Sequence, residues 1–459
     1  MSGERWAGHG VADMSFSVVT FGCRVNQAES LRLEAALLAR GHEAVNPERA
    51  DVVFVNTCSV TATADQGTRQ AIRRVHRLNP AARIVATGCH ATRDPSQVGA
   101  LPGVVAVVPN GRKDELLEDV RPLRLFARGG CGADGASLTG PDDGHARPST
   151  DAAGGNAEPA TGSLPNDPCG GPIPGIGART AWTLRVQTGC DERCSYCIVP
   201  ATRGPSRSRP IGSLLAELDR LAGVGYKVVT LTGVHLGSFG RDLAPGSSLA
   251  TLLAAIAREG LPMRFRLGSL EPMDATPEVV DLVAGESCFL PHLHLPLQHA
   301  SDRVLASMRR PYRLADYSRL VNEVRRRLPD AAIGSDVIAG FPGETDADHR
   351  EVLAYLHDAP LTHLHVFPYS ERPGTEAARL SGRVPGPVVR GRAAELRAAG
   401  RRLSERFRRS QAGTWRQGLT IEDGSVAVTD NYLRVRVAAG LPRNRWLTVQ
   451  VTVAASVLV

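Results

Sequence analysis

Short apolar runs alternate with segments of helical length along the N-terminal part of the chain. Runs of strand length occupy residues 16–21, 52–55, 83–87 and 104–108, and the segments 31–40 and 65–77 show helical spacing. This alternation predicts a βαβ series, in which the strands are parallel and helices cover the sheet. We therefore expect an open parallel α/β sheet in an N-terminal domain at residues 14–126.

The same alternation returns in the middle of the chain. Strand-like runs lie at residues 182–187, 227–232, 263–267, 292–297, 331–338 and 362–367, with helical stretches between them. Six successive βα units predict an open, partial (βα)6 barrel, and we assign it to residues 179–410. Chemistry in such a barrel gathers at the C-terminal ends of the strands, so the loops after these runs are the first place to look for a site.

The C-terminal part combines a basic helix with short strands. Residues 388–410 show helical spacing and contain two glutamates and eight arginines: Arg390, Arg392, Arg397, Arg401, Arg402, Arg406, Arg408 and Arg409. Residues 411–459 alternate apolar and polar positions between turn residues, which predicts a small C-terminal β-barrel, a common platform for nucleic acids. The helix is expected to contact phosphates, and a solvated charged face is the alternative.

A stretch without periodicity separates the first two domains. Residues 127–178 are rich in Gly, Ala, Pro, Ser and Asp and almost lack aromatic residues. Such a composition does not bury enough apolar surface to fold, so we expect a disordered linker. Cys131 and Cys169 fall inside it, and we interpret them as exposed bystanders.

Three cysteines form a C-x3-C-x2-C run after the first strand of the predicted barrel: Cys190, Cys194 and Cys197. Three thiolates on one loop can hold three irons of a [4Fe-4S] cluster and leave the fourth iron without a protein ligand. A zinc ribbon would need a second cysteine pair or nearby histidines, and a ferredoxin would need a fourth cysteine. The run therefore predicts a cluster that performs chemistry.

A second cysteine set follows strands of the N-terminal domain. Cys23, Cys58 and Cys89 each come just after an apolar run. Because the carboxyl ends of parallel strands share one edge of the sheet, the three thiols should meet there. We predict a second iron–sulfur cluster, and buried structural cysteines are the alternative.

Composition indicates the kind of binding partner and the cellular compartment. The formal net charge is +7 and the pI is about 9.1. Arginine supplies most of the positive charge, and arginine suits phosphate recognition, so nucleic acid is the expected partner. Nine cysteines in metal-like groups favour a reducing cytoplasm over a disulfide scaffold, and no apolar stretch has the length of a signal peptide or a membrane span.

The cysteine run, with an aromatic residue before its last cysteine, resembles the signature of the radical S-adenosylmethionine enzymes. Together with GCRVNQAES, NTCSVTATAD and the TGC that begins at Thr87, it resembles the methylthiotransferase family over nearly the whole chain. That resemblance implies two [4Fe-4S] clusters, cleavage of S-adenosylmethionine to a 5′-deoxyadenosyl radical, and a C-terminal TRAM-like RNA-binding domain at residues 411–459.

The resemblance also implies which residues bind S-adenosylmethionine. Residues 232–235 resemble the family's glycine-rich motif, and residues 338–340 resemble the segment beside the adenine. With polar residues after other strands, the cofactor-binding candidates are Tyr196, Thr232, Gly233, Glu271, Ile338 and Gly340. The chain departs from the family at residues 298–302, where it has Gln-His-Ala-Ser-Asp. The histidines 235, 294 and 365 are interpreted as packed strand and loop residues rather than metal ligands.

The motifs favour one substrate within the family. GCRVN and CIVPATRGPSRSRP resemble the enzymes that modify C2 of N6-threonylcarbamoyladenosine at tRNA position 37. The partners implied are a tRNA anticodon stem-loop and an electron donor of the flavodoxin or ferredoxin type, with the sulfur donor open, and Arg203, Arg207 and Arg209 are expected near the RNA. Three alternatives remain: isopentenyladenosine in tRNA, a ribosomal-protein aspartate, and a non-catalytic iron–sulfur RNA-binding protein.

Overall fold

The computed structural model describes residues 14–118, 180–452 and 456–458. The predicted linker at residues 127–178, with Cys131 and Cys169, lies outside the described residues. The described chain forms an N-terminal parallel sheet, a central barrel of parallel strands and a C-terminal antiparallel sheet. None of its helices combines the length and the apolar character that crossing a bilayer requires.

The N-terminal sheet has five parallel strands in the order β2-β1-β3-β4-β5. The strands are β1 (Ser15–Thr20), β2 (Glu43–Ala44), β3 (Val52–Thr57), β4 (Arg83–Gly88) and β5 (Val104–Val108). The helices are α1 (Arg24–Leu38), α2 (Ala62–Leu78), α3 (Cys89–Arg93), α4 (Pro95–Gly99) and α5 (Glu115–Glu118). The central strand β3 is buried along its whole length, as its apolar sequence demands in a sheet that helices cover.

The central domain contains six parallel strands in two ladders. These strands are β6 (Ala181–Arg185), β9 (Val228–Thr232), β10 (Arg264–Leu267), β11 (His292–His294), β12 (Ala332–Ala339) and β13 (His363–Pro368). The ladders β6-β9-β10 and β11-β12-β13 are joined by bridges from Phe265 to Phe289 and from Ser269 to His294. Within the described residues no ladder joins β6 to β13, so the barrel is open there.

Helices alternate with the barrel strands. They are α6 (Val199–Arg203), α7 (Ile211–Val224), α8 (Leu249–Arg258), α9 (Pro277–Gly285), α10 (Asp302–Ser307), α11 (Leu314–Arg327), α12 (Asp346–Asp358) and α13 (Gly386–Ser410). A short antiparallel pair, β7 (Gln187–Thr188) with β8 (Arg207–Ser208), closes the base of the loop that carries the C-x3-C-x2-C run.

The C-terminal sheet has five antiparallel strands in the order β17-β14-β15-β16-β18. They are β14 (Trp415–Ile421), β15 (Val426–Thr429), β16 (Leu433–Arg436), β17 (Trp446–Gln450) and β18 (Ser456–Leu458). This sheet packs on the barrel where the strands begin: Leu419 is buried with Val228 and Leu290, and Tyr432 is buried with Ala332.

Candidate active site

The three N-terminal cysteines, Cys23, Cys58 and Cys89, lie together at one edge of the parallel sheet, which we call the cysteine edge. Cys23 caps α1 just after β1, Cys58 directly follows β3, and Cys89 begins α3 directly after β4. Since β1, β3 and β4 are neighbours in the sheet, the three thiols arise from adjacent strand ends. All three line one cavity.

Gly22 lets two of these cysteines approach each other. Its φ is +93°, a conformation that favours glycine, and a Cβ at this position would lie 2.5 Å from Cys58 Sγ. A side chain here would therefore displace the Cys58 thiol. The glycine in the GCRVN segment is thus a requirement of the cysteine edge.

The surroundings of the cysteine edge change the pKa of the Cys58 thiol and contact the Cys89 sulfur atom. Burial, with a smaller contribution from the nearby Cys23 and Cys89, raises the pKa of Cys58 to about 11. Asn110 Nδ2 lies 3.5 Å from Cys89 Sγ and donates a hydrogen bond of 2.9 Å to the carbonyl oxygen of Thr202. Asn110 therefore connects the cysteine edge to the chain that follows the second cysteine set.

The second set lies on the loop between β7 and β8. Burial, with a smaller contribution from the neighbouring Cys194 and Cys190, raises the pKa of Cys197 to about 12. The backbone N–H of Val199 donates to Cys197 Sγ at 3.4 Å. Metal binding would remove the thiol protons, because a coordinating thiol is deprotonated by the ion.

Arg310 links this cysteine loop to Glu271. Its Nη1 donates to Cys194 Sγ at 3.1 Å, and its Nη2 forms an ion pair with the Glu271 carboxylate. The guanidinium is buried and also lies over the Tyr312 ring, 5.1 Å from the centroid. The structure thus brings the predicted residue Glu271 next to the cysteine run through an arginine that the sequence analysis did not identify.

Gln187 connects the cysteine loop to the loop after β9. Its amide nitrogen donates to the carbonyl oxygens of Thr188 and Gly189, and its amide oxygen accepts the backbone N–H of His235 at 2.9 Å. Thr232 ends β9 and Gly233 follows it. Gln187 therefore positions the predicted Thr232 and Gly233 segment against the start of the cysteine loop.

A buried pair follows that segment. His235 Nε2 lies 2.7 Å from Asp274 Oδ2. Burial opposes the charged imidazole, but the hydrogen bonds to Asp274 and Cys190 outweigh it and raise the pKa of His235 to about 10. The raised pKa favours the protonated imidazole beside the cysteine run, and Asp274 supplies the carboxylate partner.

The other predicted cofactor residues form an apolar wall. Tyr196 packs with Ile338 and makes an edge-on contact with Phe341, with ring centroids 6.5 Å apart. Gly340 has a φ of +78°, and a Cβ there would lie 2.4 Å from Val389 Cγ2. The structure therefore brings Ile338 into contact with Tyr196 of the cysteine loop, and Gly340 follows Ile338 by two residues.

An ion-pair cluster joins the two cysteine-bearing domains. Glu29 on α1 accepts from Arg203 at 2.8 Å and from Arg185 at 3.0 Å, and it also pairs with Lys113. Burial works against the Glu29 carboxylate, but these cations hold its pKa well below the usual value. Arg203 is buried in this cluster and also lines the cavity described next, so its expected position near RNA stays a prediction.

A cavity of about 370 Å³ extends from the cysteine edge into the barrel. Besides the three cysteines it is lined by Arg203, Thr232 and Gly233, and deeper in the barrel by strand residues and Tyr432. There His294 Nε2 and His365 Nδ1 each lie 3.1 Å from Asp336 Oδ1. The barrel interior is therefore polar and open to the N-terminal cysteines.

Known protein families match the two parts of the chain that carry the cysteine sets. Residues 15–109 match the family described as "Uncharacterized protein family UPF0004", and residues 184–356 match the "Radical SAM superfamily". The threonylcarbamoyladenosine tRNA methylthiotransferase MtaB of Bacillus subtilis is 32% identical over 432 residues, which cover 91% of this chain and 88% of that protein. The chain belongs to the radical S-adenosylmethionine methylthiotransferase family.

Other relatives agree with this family. The MtaB of Aquifex aeolicus is 32% identical, with coverage of 92% of this chain and 96% of that protein. The tRNA-2-methylthio-N(6)-dimethylallyladenosine synthase of Thermobifida fusca is 35% identical, with coverage of 85% and 74%. The solved structure of the radical S-adenosylmethionine methyltransferase TsrM from Kitasatospora setae, 18% identical, matches with a TM-score of 0.54 over 80% of this chain and 74% of that chain, which shows a shared fold.

Several predictions about this methylthiotransferase are confirmed. They are the α/β fold class, the family, and the use of S-adenosylmethionine with [4Fe-4S] clusters. Gln187, Arg310 and the Glu29 cluster were not predicted from the sequence. A signal was present only for Gln187, which stands directly before the Thr-Gly-Cys that opens the cysteine run.

Proposed function

We propose that this methylthiotransferase replaces the hydrogen on C2 of N6-threonylcarbamoyladenosine at tRNA position 37 with a methylthio group. The observation that carries the proposal is the similarity, over 91% of the chain, to a relative named for threonylcarbamoyladenosine tRNA methylthiotransfer. A polar barrel interior beside the N-terminal cysteines agrees with a polar, modified base as the substrate.

We assign the six cysteines to two [4Fe-4S] clusters. Cys23, Cys58 and Cys89 would hold one cluster, and the C-x3-C-x2-C cysteines would hold the other. Each set supplies three grouped thiols, the number that leaves one iron open. When bound, these groups and S-adenosylmethionine supply the one-electron chemistry that replaces an unactivated carbon-bound hydrogen.

The residues around the second set would bind and orient S-adenosylmethionine. Thr232 and Gly233, held by Gln187, would contact its methionine part. Tyr196, Ile338 and Gly340 would pack beside its adenine. Glu271, fixed by Arg310 next to Cys194, would also lie beside the bound cofactor. These roles follow the family resemblance and the positions described above.

The cluster at the cysteine edge would face the substrate carbon. Its cysteines share the cavity with Thr232 and Gly233, which would contact S-adenosylmethionine. The Glu29 cluster and Asn110 fix the N-terminal domain against the barrel and thereby set the distance between the two cysteine sets.

The RNA would approach the outside of this cavity. The exposed residues Arg397, Arg401 and Arg402 on α13, with the C-terminal sheet, would contact phosphates of the anticodon stem-loop. Two arginines of this helix have other roles, since Arg392 pairs with Glu344 and Arg406 donates to backbone carbonyls. An electron donor of the flavodoxin or ferredoxin type would reduce the cluster.

Nucleoside analysis tests the proposal. Transfer RNA from a strain that lacks the protein should lose 2-methylthio-N6-threonylcarbamoyladenosine and accumulate the unmethylthiolated nucleoside in mass spectrometry. Restoring the gene should reverse the change, and a Cys190→Ala gene should not. A change confined to the dimethylallyladenosine derivative would instead favour the activity for which the Thermobifida fusca relative is named.

A further inference from the structure

The barrel end of the cavity contains a buried arginine without a carboxylate partner. Arg266 on β10 lines the cavity and is only 7% exposed. Its guanidinium lies over the Tyr432 ring, 4.4 Å from the centroid, and its Nε has no hydrogen-bond partner. No ion pair joins it to an acid within the described part of the chain. A buried charge without a counter-ion is costly, so an anion from outside is the expected partner.

The acidic residues in this part of the protein already have other basic residues as partners. Asp430 is held by Arg416 at 3.1 Å, and Asp336 is held by His294 and His365. A second cation lies close by, because Arg24 Nη2 donates to the Tyr432 hydroxyl at 2.7 Å. The two arginines therefore flank one tyrosine and give this end of the cavity an excess of positive charge.

The remaining neighbours are neutral. His292 packs on Tyr432 with ring centroids 4.5 Å apart, and His363 lies 6.2 Å from the same ring. Burial and the nearby arginine charge hold the pKa of His292 well below its usual value, and burial with the neighbouring histidines lowers the pKa of His363 to about 3. Neither imidazole adds a positive charge or supplies a negative one.

Tyr432 is positioned at a conformational cost. Its φ is +75°, which is unusual for a bulky residue, and strain of this kind concentrates at functional sites. The turn between β15 and β16 holds it in this conformation, with its N–H bonded to Thr429 O at 3.0 Å. The C-terminal sheet thus places an aromatic face and a hydroxyl between the two arginines.

We propose that Arg266, with Arg24 and Tyr432, binds the carboxylate of the N6 substituent of the substrate adenosine and thereby selects an anionic substituent over an apolar one. A threonylcarbamoyl group carries a carboxylate and a hydroxyl, whereas a dimethylallyl group carries neither. The cavity of about 370 Å³ is in the range of small-molecule pockets and also contains the cysteine edge. This inference rests on the proposed function.

Matched substrates test the inference on the unaltered holoenzyme. Three anticodon stem-loop RNAs differ only in the N6 group: threonylcarbamoyl, its neutral carboxamide of the same shape, and dimethylallyl. We expect kcat/KM for methylthiolation to fall about thirtyfold or more from the acid to the carboxamide, because the arginine loses its partner. Affinity, measured without S-adenosylmethionine or reductant, should fall in the same direction. Equal values for acid and carboxamide would overturn the inference and leave the proposed function standing.

Protein variants complete a double-mutant cycle. Arg266→Gln should lower kcat/KM on the acid by a similar factor and change the carboxamide little, and Arg266→Lys should be intermediate. The control is Arg264→Gln on the same strand, since Arg264 does not line the cavity. Equal losses on both RNAs would assign Arg266 to structure or to an RNA phosphate and overturn the inference. If the variant does not fold, the substrate pair alone decides. Activity on the dimethylallyl RNA alone would refute the proposed function itself.

Discussion

The guanidinium of Arg203 and the carboxylate of Glu29 form a two-point contact, with N–O distances of 2.8 Å and 3.3 Å, across 174 positions of the chain. Glu29 belongs to the N-terminal sheet domain, and Arg203 ends the helix after the C-x3-C-x2-C loop. Parallel contacts of this kind fix orientation as well as distance. This pair therefore aligns the two cysteine sets.

Loss of the Glu29 charge should loosen the domain interface. Glu29→Gln leaves Arg203 and Lys113 buried without their counter-charge and Arg185 with Asp114 alone, and breaking a buried pair typically costs about 3–5 kcal/mol. We expect faster hydrogen exchange in α1 and α6. Glu43→Gln, at an exposed glutamate of β2, is the control and should leave exchange unchanged. Unaltered exchange in Glu29→Gln would contradict the role of the pair.

The same residue predicts a pH dependence. The pKa of Glu29 is lower in the folded protein than its ordinary value of 4.5, so its contribution to stability is complete above that pH. The contribution is lost as the pH falls through the lower, folded pKa. Urea unfolding over a pH series should therefore show a steeper acid loss of stability in the parent than in Glu29→Gln. Parallel curves would contradict the assignment.

The two cysteine sets should load iron independently. Replacing Cys190, Cys194 and Cys197 by Ala should leave about half the iron and abolish cleavage of S-adenosylmethionine, because the N-terminal edge keeps its three thiols. Iron analysis and chromatography of 5′-deoxyadenosine measure the two effects. Cys288→Ala is the control, since Cys288 lies next to α9 and apart from both sets. Complete iron loss in a folded triple variant would contradict two separate sites.

Arg310 should tune the cluster on the C-x3-C-x2-C loop. Arg310→Gln removes the donor to Cys194 Sγ and frees Glu271, and hydrogen bonds to cluster sulfurs influence the reduction potential. We expect a lower potential and about 10- to 100-fold slower S-adenosylmethionine cleavage, the usual cost of losing a partner of a metal ligand. Arg309→Gln, at an exposed residue paired with Glu376, is the neighbouring control. A potential equal to that of the parent would refute this role.

The exposed arginines of α13 should bind phosphates of the RNA. Substituting Arg397, Arg401 and Arg402 by Gln should weaken tRNA binding and reduce the slope of log affinity against log salt by about 0.7–0.9 for each phosphate that is no longer neutralised. S-adenosylmethionine cleavage without RNA should continue at the parent rate. A variant with Arg73, Arg74 and Arg77 changed to Gln carries the same charge reduction on α2 as a control. An unchanged salt slope in the α13 variant would place the RNA site elsewhere.

The elements that local pattern controls were predictable. Six apolar runs became the six barrel strands, with the run at residues 331–338 matching Ala332–Ala339 within one residue. The cysteines were placed correctly after β1, β3 and β4, because that position follows from strand order alone. β2 was not predicted, since a strand of two residues carries too little periodic signal.

Side chains that act over long sequence separations were not predictable. Arg203 stands in a basic segment, where nothing local distinguishes a buried arginine from a solvated one. Its partner Glu29 is 174 positions away, and Arg310 meets Cys194 across 116 positions. Only the fold brings such pairs together, so the residues that position the cysteine sets can be identified only from the structure.

The inward tyrosine of the C-terminal sheet alters how truncated chains should be interpreted. Tyr432 closes the end of the cavity where the barrel strands begin. It contacts His292 of the central domain and Arg24 of the N-terminal domain. Removing the C-terminal sheet would admit solvent to the cavity and would also weaken RNA binding. A shortened enzyme that fails to modify tRNA has therefore lost two properties at once, and only point substitutions separate them.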